Sequence, residues 1–182
     1  MIGYDPNHNP QYEPRCVCCN NRNLSQLILG GGAAGGGKSS VGSVWLVSSC
    51  IQFENIRAVV ARKTLKSLKE STWNTIKMIL KVWGLKEDLH YKINNIEGTL
   101  TFWNDSVIIM KEMANAPSDP NYERFGSSEF TIAFVDEVSE ISERAIEVLF
   151  SRLRWRVHET FKTPRMLLST TPTMNWVRSR FV

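Results

Sequence analysis

No apolar stretch in this chain of 182 residues approaches the length of a membrane span, so no transmembrane helix is expected. Met1 to Pro14 is polar and proline-bearing, unlike a secretory signal, and the chain is expected to be intracellular with no membrane partner. Cysteine is sparse: of four, Cys16, Cys18 and Cys19 crowd together and Cys50 stands apart. Cys16 and Cys19 have the C-x-x-C spacing of a zinc or redox half-site, but no second C-x-x-C or histidine pair completes it, and nothing in the sequence brings His8 or His90 near. A reduced structural cluster is the reading that remains. There is no internal repeat, and no low-complexity tract beyond one glycine run. At 42% hydrophobic and 22% charged the composition is globular rather than disordered, and the length suits one α/β domain with a proper core.

That glycine run is the most informative stretch present. Gly32 to Ser39 fits G-x-x-x-x-G-K-[ST], the phosphate-binding pattern. Glycines let the backbone turn tightly and aim N–H groups at phosphate oxygens, and the following helix N-terminus adds its dipole. The loop residues Gly32, Ala33, Ala34, Gly35, Gly36 and Gly37, with Ser40 just beyond, would cradle the phosphates of a nucleoside triphosphate. Lys38 would reach its β and γ phosphates, and Ser39 would ligate Mg²⁺. A flexible linker would lack the flanks seen here: an apolar strand-like run Leu27 to Leu29 before, and Val41, Val44, Trp45 and Val47 at helical spacing after. Gly42 weakens that helix but suits a close approach to a sheet.

Apolar runs alternate with amphipathic ones along the rest of the chain, the pattern of a mostly parallel sheet with helices on both faces. Strands are predicted at Gln26 to Leu29, Ala58 to Ala61, Thr131 to Val135 and Met166 to Ser169, and a helix over Leu65 to Trp83. Thr99 to Trp103 and Val107 to Met110 flank Asn104-Asp105-Ser106 and predict an antiparallel β-hairpin extending the sheet at one edge. Ala114 to Ser128 reads as a long loop without a core pattern.

Thr131 to Val135 ends in Asp136-Glu137, the form of a second nucleotide-binding motif. Asp136 would hold the metal shell that Ser39 touches from the other side, and Glu137 would act as general base on the attacking water. An Asp-Glu pair at a strand-to-helix turn also serves as a helix cap; the phosphate loop upstream favours metal and catalysis. Ser169-Thr170-Thr171-Pro172 places hydroxyls at another strand end, where they suit sensing of the γ-phosphate or simply a Thr-Pro turn. From Arg152 onward the chain carries Arg152, Arg154, Arg156, Lys162, Arg165, Arg178 and Arg180 against the single acid Glu159. That bias suits backbone phosphates of a nucleic acid, or else intramolecular partners.

The glycine loop, then Ala61-Arg62-Lys63-Thr64, then Phe125-Gly126-Ser127-Ser128-Glu129-Phe130 leading to Asp136-Glu137, then Ser151-Arg152-Leu153-Arg154, Ser169 to Pro172 and Asn175-Trp176-Val177 occur in an order that resembles the ATPase domain of the large terminase subunit of tailed bacteriophages. The resemblance runs from Gln11 onward. It implies a three-layer P-loop NTPase of the additional-strand, catalytic-glutamate type that couples ATP hydrolysis to pumping double-stranded DNA into a procapsid. It also implies ATP and Mg²⁺ as cofactors and Glu137 as catalytic base with Lys38. Thr170 and Thr171 become coupling residues, Gln11 an adenine contact, and Arg62 a basic position after the second strand. The implied partners are double-stranded DNA, the portal protein and the small terminase subunit, with a homo-oligomeric ring on the portal and a location in the host cytoplasm, transiently docked on the procapsid. Residues 1–23 would then be an irregular segment and 24–182 the ATPase domain, without the C-terminal nuclease that such subunits usually carry.

Two departures stand out. Many terminases place an arginine inside the phosphate loop, where this chain has Ala33 and Ala34; Arg124 is the candidate for a finger offered to a neighbouring site, or else forms a plain ion pair with Glu123 or Glu129. Thr171 stands where related sequences often have Asn. A helicase-like nucleic-acid-dependent ATPase, and a nucleotide-gated assembly module without significant turnover, are the competing readings.

Overall fold

The computed structural model describes residues 27–31, 37–126, 128–171 and 175–181. Seven strands form one sheet: β1 (Leu27–Gly31), β2 (Arg57–Arg62), β3 (Tyr91–Asn94), β4 (Thr99–Phe102), β5 (Val107–Glu112), β6 (Ile132–Val135) and β7 (Arg165–Thr170). Their order across the sheet is β1-β7-β6-β2-β5-β4-β3. The first five in that order run parallel, and β4 and β3 complete the sheet antiparallel.

Strand residues alternate between two cores, because successive side chains on a strand point to opposite faces. Ala58, Val60, Ile132, Phe134 and Leu167 pack on one side against Trp45, Leu46, Ile76 and Leu80. Val59, Ala61, Ala133, Val135, Met166 and Leu168 pack on the other against Phe125, Ile146, Leu149 and Val177. Both faces are covered, which is why the central strands read as continuous apolar runs rather than alternating ones.

Helix α1 (Lys38–Gln52) lies deepest, buried on nearly every side. Gly42 explains its approach to the sheet. A Cβ added there would sit 2.3 Å from the Phe134 ring, so only a bare Cα lets the helix pass over β6. The predicted helix over Leu65 to Trp83 is present but not uniform. It consists of α2 (Leu65–Leu68), a π-helical stretch Lys69–Trp73 and α3 (Asn74–Val82). On the opposite face lie α4 (Glu143–Ser151), capped by Ser142 Oγ accepting from the Ala145 amide at 3.3 Å, and α6 (Trp176–Phe181), whereas α5 (Val157–Thr160) leads into Phe161, which packs in the first core. Among the described residues no helix is long and apolar enough to cross a membrane.

The antiparallel edge of the sheet is present, and two sequence expectations are sharpened. The hairpin of β4 and β5 forms, but β5 lies inside the sheet, parallel to β2, and the edge belongs to the unforeseen strand β3. Tyr91 and Ile93 supply its half-buried face against the first core. The stretch Ala114 to Ser128 does contribute to the core: a single 3-10 turn at Glu123–Phe125 lets Tyr122 and Phe125 seat their rings in the second core.

Candidate functional site

The C-terminal ends of β1, β7, β6 and β2 lie side by side, and the residues that leave them meet. Register pairs Gly31 with Thr170 and Val135 with Leu168, so the strand entering the glycine loop, the Ser169-Thr170-Thr171 segment and Asp136-Glu137 share one edge. Crevices at the carboxyl ends of parallel strands are where such sheets bind ligands.

The loop residues Gly32, Ala33, Ala34, Gly35 and Gly36, together with Gln11 and the Cys16 to Cys19 cluster, lie outside the described residues. The loop's exit is described. Gly37 adopts φ 72°, ψ 10°, a left-handed conformation that glycine takes without steric cost, and its carbonyl accepts the Val41 amide at 2.9 Å to open α1. Lys38, Ser39 and Ser40 therefore form the first turn, with Lys38 buried and the helix dipole behind them.

Asp136 is the hub of the site. It is 1% exposed, its amide donates to Ala61 O at 2.9 Å, and its carboxylate accepts from three hydroxyls. Ser39 Oγ lies 3.0 Å from both Oδ1 and Oδ2, Ser169 Oγ donates to Oδ1 at 2.5 Å, and Thr72 Oγ1 donates to Oδ2 at 2.5 Å. A buried carboxylate needs such donors, and here they come from α1, β7 and the π-helical stretch. Ser39 and Asp136, expected on opposite sides of one metal ion, are thus brought into contact.

Glu137 leaves β6 at φ 51°, ψ 54°, a left-handed conformation uncommon for a residue with a side chain. Its amide donates to Ser169 Oγ at 3.3 Å, and its carboxylate accepts from Thr171 Oγ1 and the Thr171 amide, each at 3.3 Å. Strain of this kind persists where the surroundings over-determine it. Here it turns the Glu137 carboxylate across the end of β7 beside Asp136. Glu137 does not cap a long helix; only the short 3-10 turn Val138–Glu140 follows.

The two threonines separate in role. Thr171 holds Glu137, whereas Thr170, facing into the fold, donates to its neighbour's carbonyl, Thr171 O, at 3.0 Å. Ser169, part of the same segment but not singled out in the sequence, bridges Asp136 and Glu137. Thr72 carried no motif at all.

Arg62 points toward the π-helical stretch. Its Nη1 donates to Ser71 Oγ, and to Ser67 O at 3.4 Å. Arg124 pairs with Asp119 at 3.0 Å, not with Glu123 or Glu129; its Nη2 donates to Ala114 O at 2.5 Å and its guanidinium lies 4.9 Å from the Tyr122 ring. Glu129 pairs instead with Arg154 at 2.8 Å. Against the upward pull of partial burial, the Glu123 and Arg124 amides and the Arg124 guanidinium hold the Asp119 carboxyl below its ordinary value.

Three arginines of the basic C-terminal segment form ion pairs within the chain. Besides Arg154, Arg156 pairs with Glu159 at 2.6 Å and Arg180 with Glu143 at 2.5 Å, while Arg165 is buried. Intramolecular carboxylates thus pair with Arg154, Arg156 and Arg180.

The donor set suits Mg²⁺, which binds through one or two carboxylates plus substrate phosphates and keeps several waters. One hydroxyl and one carboxylate meet at the phosphate-loop helix, and no cluster of three His, Cys, Asp or Glu forms a protein cage among the described residues.

A glycine-rich sequence between β1 and α1 and a strand inserted between β1 and the Asp136 strand, within a mixed seven-stranded sheet flanked by helices, are the arrangement of a P-loop NTPase fold. The family model of the phage terminase large subunit matches residues 23–182, and the chain belongs to that family. No curated protein matches it. Among solved structures it is similar to the large terminase of a thermophilic bacteriophage in complex with ADP, with 18% identity and a TM-score of 0.65, over 85% of this chain and 37% of that one. It is also similar to the HK97 bacteriophage large terminase, with 10% identity and a TM-score of 0.63 over 85% of this chain and 31% of that one. For the ATPase domain of the Thermus phage P74-26 large terminase the values are 13% and 0.57, over 87% and 66%. The chain thus spans well under half the length of the first two.

Proposed function

We propose that this chain is the ATP-hydrolysing motor domain of a DNA-packaging terminase, coupling hydrolysis to translocation of double-stranded DNA into a procapsid. The observation that carries the reading is the cluster in which Ser39 meets Asp136 and Thr171 fixes the adjacent Glu137. The ADP complex of the thermophilic phage terminase supports nucleotide as the ligand of this fold.

Bound Mg²⁺–ATP would supply the phosphoanhydride and a metal that offsets charge on the transferring phosphoryl group. Gly37, Lys38, Ser39 and Ser40, with the loop before them, would bind the phosphates, and Ser39 and Asp136 would hold the metal. Glu137, oriented through Thr171, would accept the proton of the attacking water. Loss of the γ-phosphate would be felt first at Thr171, because it joins the base to the end of β7. We assign Gln11 to adenine and Arg124 to a neighbouring subunit's site, which requires Arg124 to leave Asp119.

Portal protein, small terminase subunit and duplex DNA are the proposed partners, in a ring docked on the procapsid in the host cytoplasm. Phosphate release from Mg²⁺–ATP, with and without duplex DNA and portal, tests the proposal. Turnover that Asp136→Asn abolishes supports it. Unwinding of a forked duplex would instead mark a helicase, and tight nucleotide binding with no turnover in the presence of both partners would mark an assembly module.

A further inference from the structure

The π-helical stretch Lys69–Trp73 lies in the middle of an otherwise α-helical run and delivers two hydroxyls toward the candidate site. Leu68 and Trp73 are both buried in the first core, and a regular α-helix would bring Ser71 or Thr72, not Trp73, onto the line of Leu68. The wider turn lets Trp73 take the core position and frees Thr72 to face the sheet end. Such single-turn insertions are frequent at functional sites. Thr72 is fully buried, and its Oγ1 donates to Asp136 Oδ2 at 2.5 Å. Ser71 Oγ lies 3.3 Å from Thr72 Oγ1, donates to Ser67 O at 2.7 Å and receives the Arg62 guanidinium. Arg62 at the end of β2, Ser71 and Thr72 thus lie in a row leading to the carboxylate; with the Ser71 and Thr72 protons given to Ser67 O and Asp136, the two hydroxyl oxygens are in contact without a hydrogen bond between them.

We propose that Thr72 is a positioning residue for the Asp136 carboxylate, and that the π-helical stretch registers whether that carboxylate is engaged by metal. The inference rests on the reading of Ser39 and Asp136 as the Mg²⁺ site. Oδ2 is shared between Thr72 and Ser39, so any change in what Ser39 and Asp136 hold alters the bond to Thr72. A π-helical turn holds one more residue than an α-helical one, so a shift from one winding to the other would pass this on to α2 and α3. Partners that orient a metal-holding carboxylate are typically worth about 10–100-fold in metal affinity.

The test is equilibrium binding of ATP-γ-S to the full chain over a Mg²⁺ titration and in EDTA, for wild type, Thr72→Val and Thr72→Ser, with the melting temperature of each. Thr72→Val should raise the half-saturating Mg²⁺ concentration about tenfold while leaving affinity in EDTA unchanged, and Thr72→Ser should restore the wild-type Mg²⁺ dependence. A folded Thr72→Val with wild-type Mg²⁺ dependence, or with equal losses in EDTA and Mg²⁺, overturns the proposal. Should Thr72→Val not fold, amide hydrogen exchange on the wild type decides: residues 69–73 should change protection between nucleotide with EDTA and nucleotide with Mg²⁺, and identical exchange overturns the proposal. Wild-type binding indifferent to Mg²⁺ would remove the reading of the site itself, a result distinct from failure at Thr72 alone.

Discussion

Thr171 Oγ1 lies 3.3 Å from both carboxylate oxygens of Glu137, joining the residue that follows β7 to the one that leaves β6 in a left-handed conformation. Glu137 is thereby tied to the strand neighbouring its own. Orientation of Glu137 depends on a side chain outside the motif that contains it.

Thr171→Val removes the hydroxyl but keeps the amide bond to Glu137 at 3.3 Å. With the carboxylate held at one point only, kcat for ATP should fall about tenfold and KM should change little, because the lost interaction orients the base rather than the phosphates. Thr171→Ser should retain most activity. Steady-state phosphate release measures both.

Gly42→Ala places a methyl group 2.3 Å from the Phe134 ring, far inside carbon–carbon contact distance. Alanine is the better helix former by about 1 kcal/mol, yet overpacking should win and destabilise the fold by about 1–3 kcal/mol in urea titrations. Adding Phe134→Leu should recover part of that loss, and strictly additive effects would contradict the contact.

Burial pushes the Cys50 thiol well above the ordinary range, so it stays neutral in the folded chain. The unfolded thiol ionises near 8.5, and stability should therefore fall as pH rises above that value, since the unfolded state then holds fewer protons. Mass spectrometry of alkylated peptides should find Cys50 unmodified in native protein at pH 8 and modified in urea.

The Asp119 carboxyl is held below its ordinary value, so its contribution is complete above about 3.9 and is lost as pH falls through the lower folded value. Carboxyl NMR should show Asp119 titrating below that value. Its midpoint should rise in Arg124→Ala, and an unmoved midpoint would show that the guanidinium does not clamp this loop.

Much of the site was legible because its chemistry imposes spelling. A phosphate loop needs glycines before Lys38, and a metal carboxylate sits where an apolar strand ends, so Ser39, Asp136 and Glu137 could be named from sequence and meet in the structure. Ser169 and Thr72 could not, since a hydroxyl that serves another residue obeys no spacing rule. One signal was there for Thr72: the apolar series skips from Leu68 to Trp73, too far for an α-helical turn and right for a π-helical one. The mostly parallel sheet followed from alternating apolar and amphipathic runs. Strand β3 was missed because Tyr91 and Ile93 are only half-buried, which leaves a short, weak alternation at an edge. The C-terminal arginines illustrate the limit of charge counting, because Glu129, Glu143 and Glu147 reach them from other elements.

Glu137 is proposed as the base of an ATPase built on Asp136 and Ser39. Turnover of Mg²⁺–ATP and equilibrium binding of nucleotide, compared between wild type and Glu137→Gln, test it most directly. The wild type should release phosphate, and Glu137→Gln should lower kcat at least about 100-fold while retaining nucleotide affinity. Phosphate release by Glu137→Gln at the wild-type rate would contradict it.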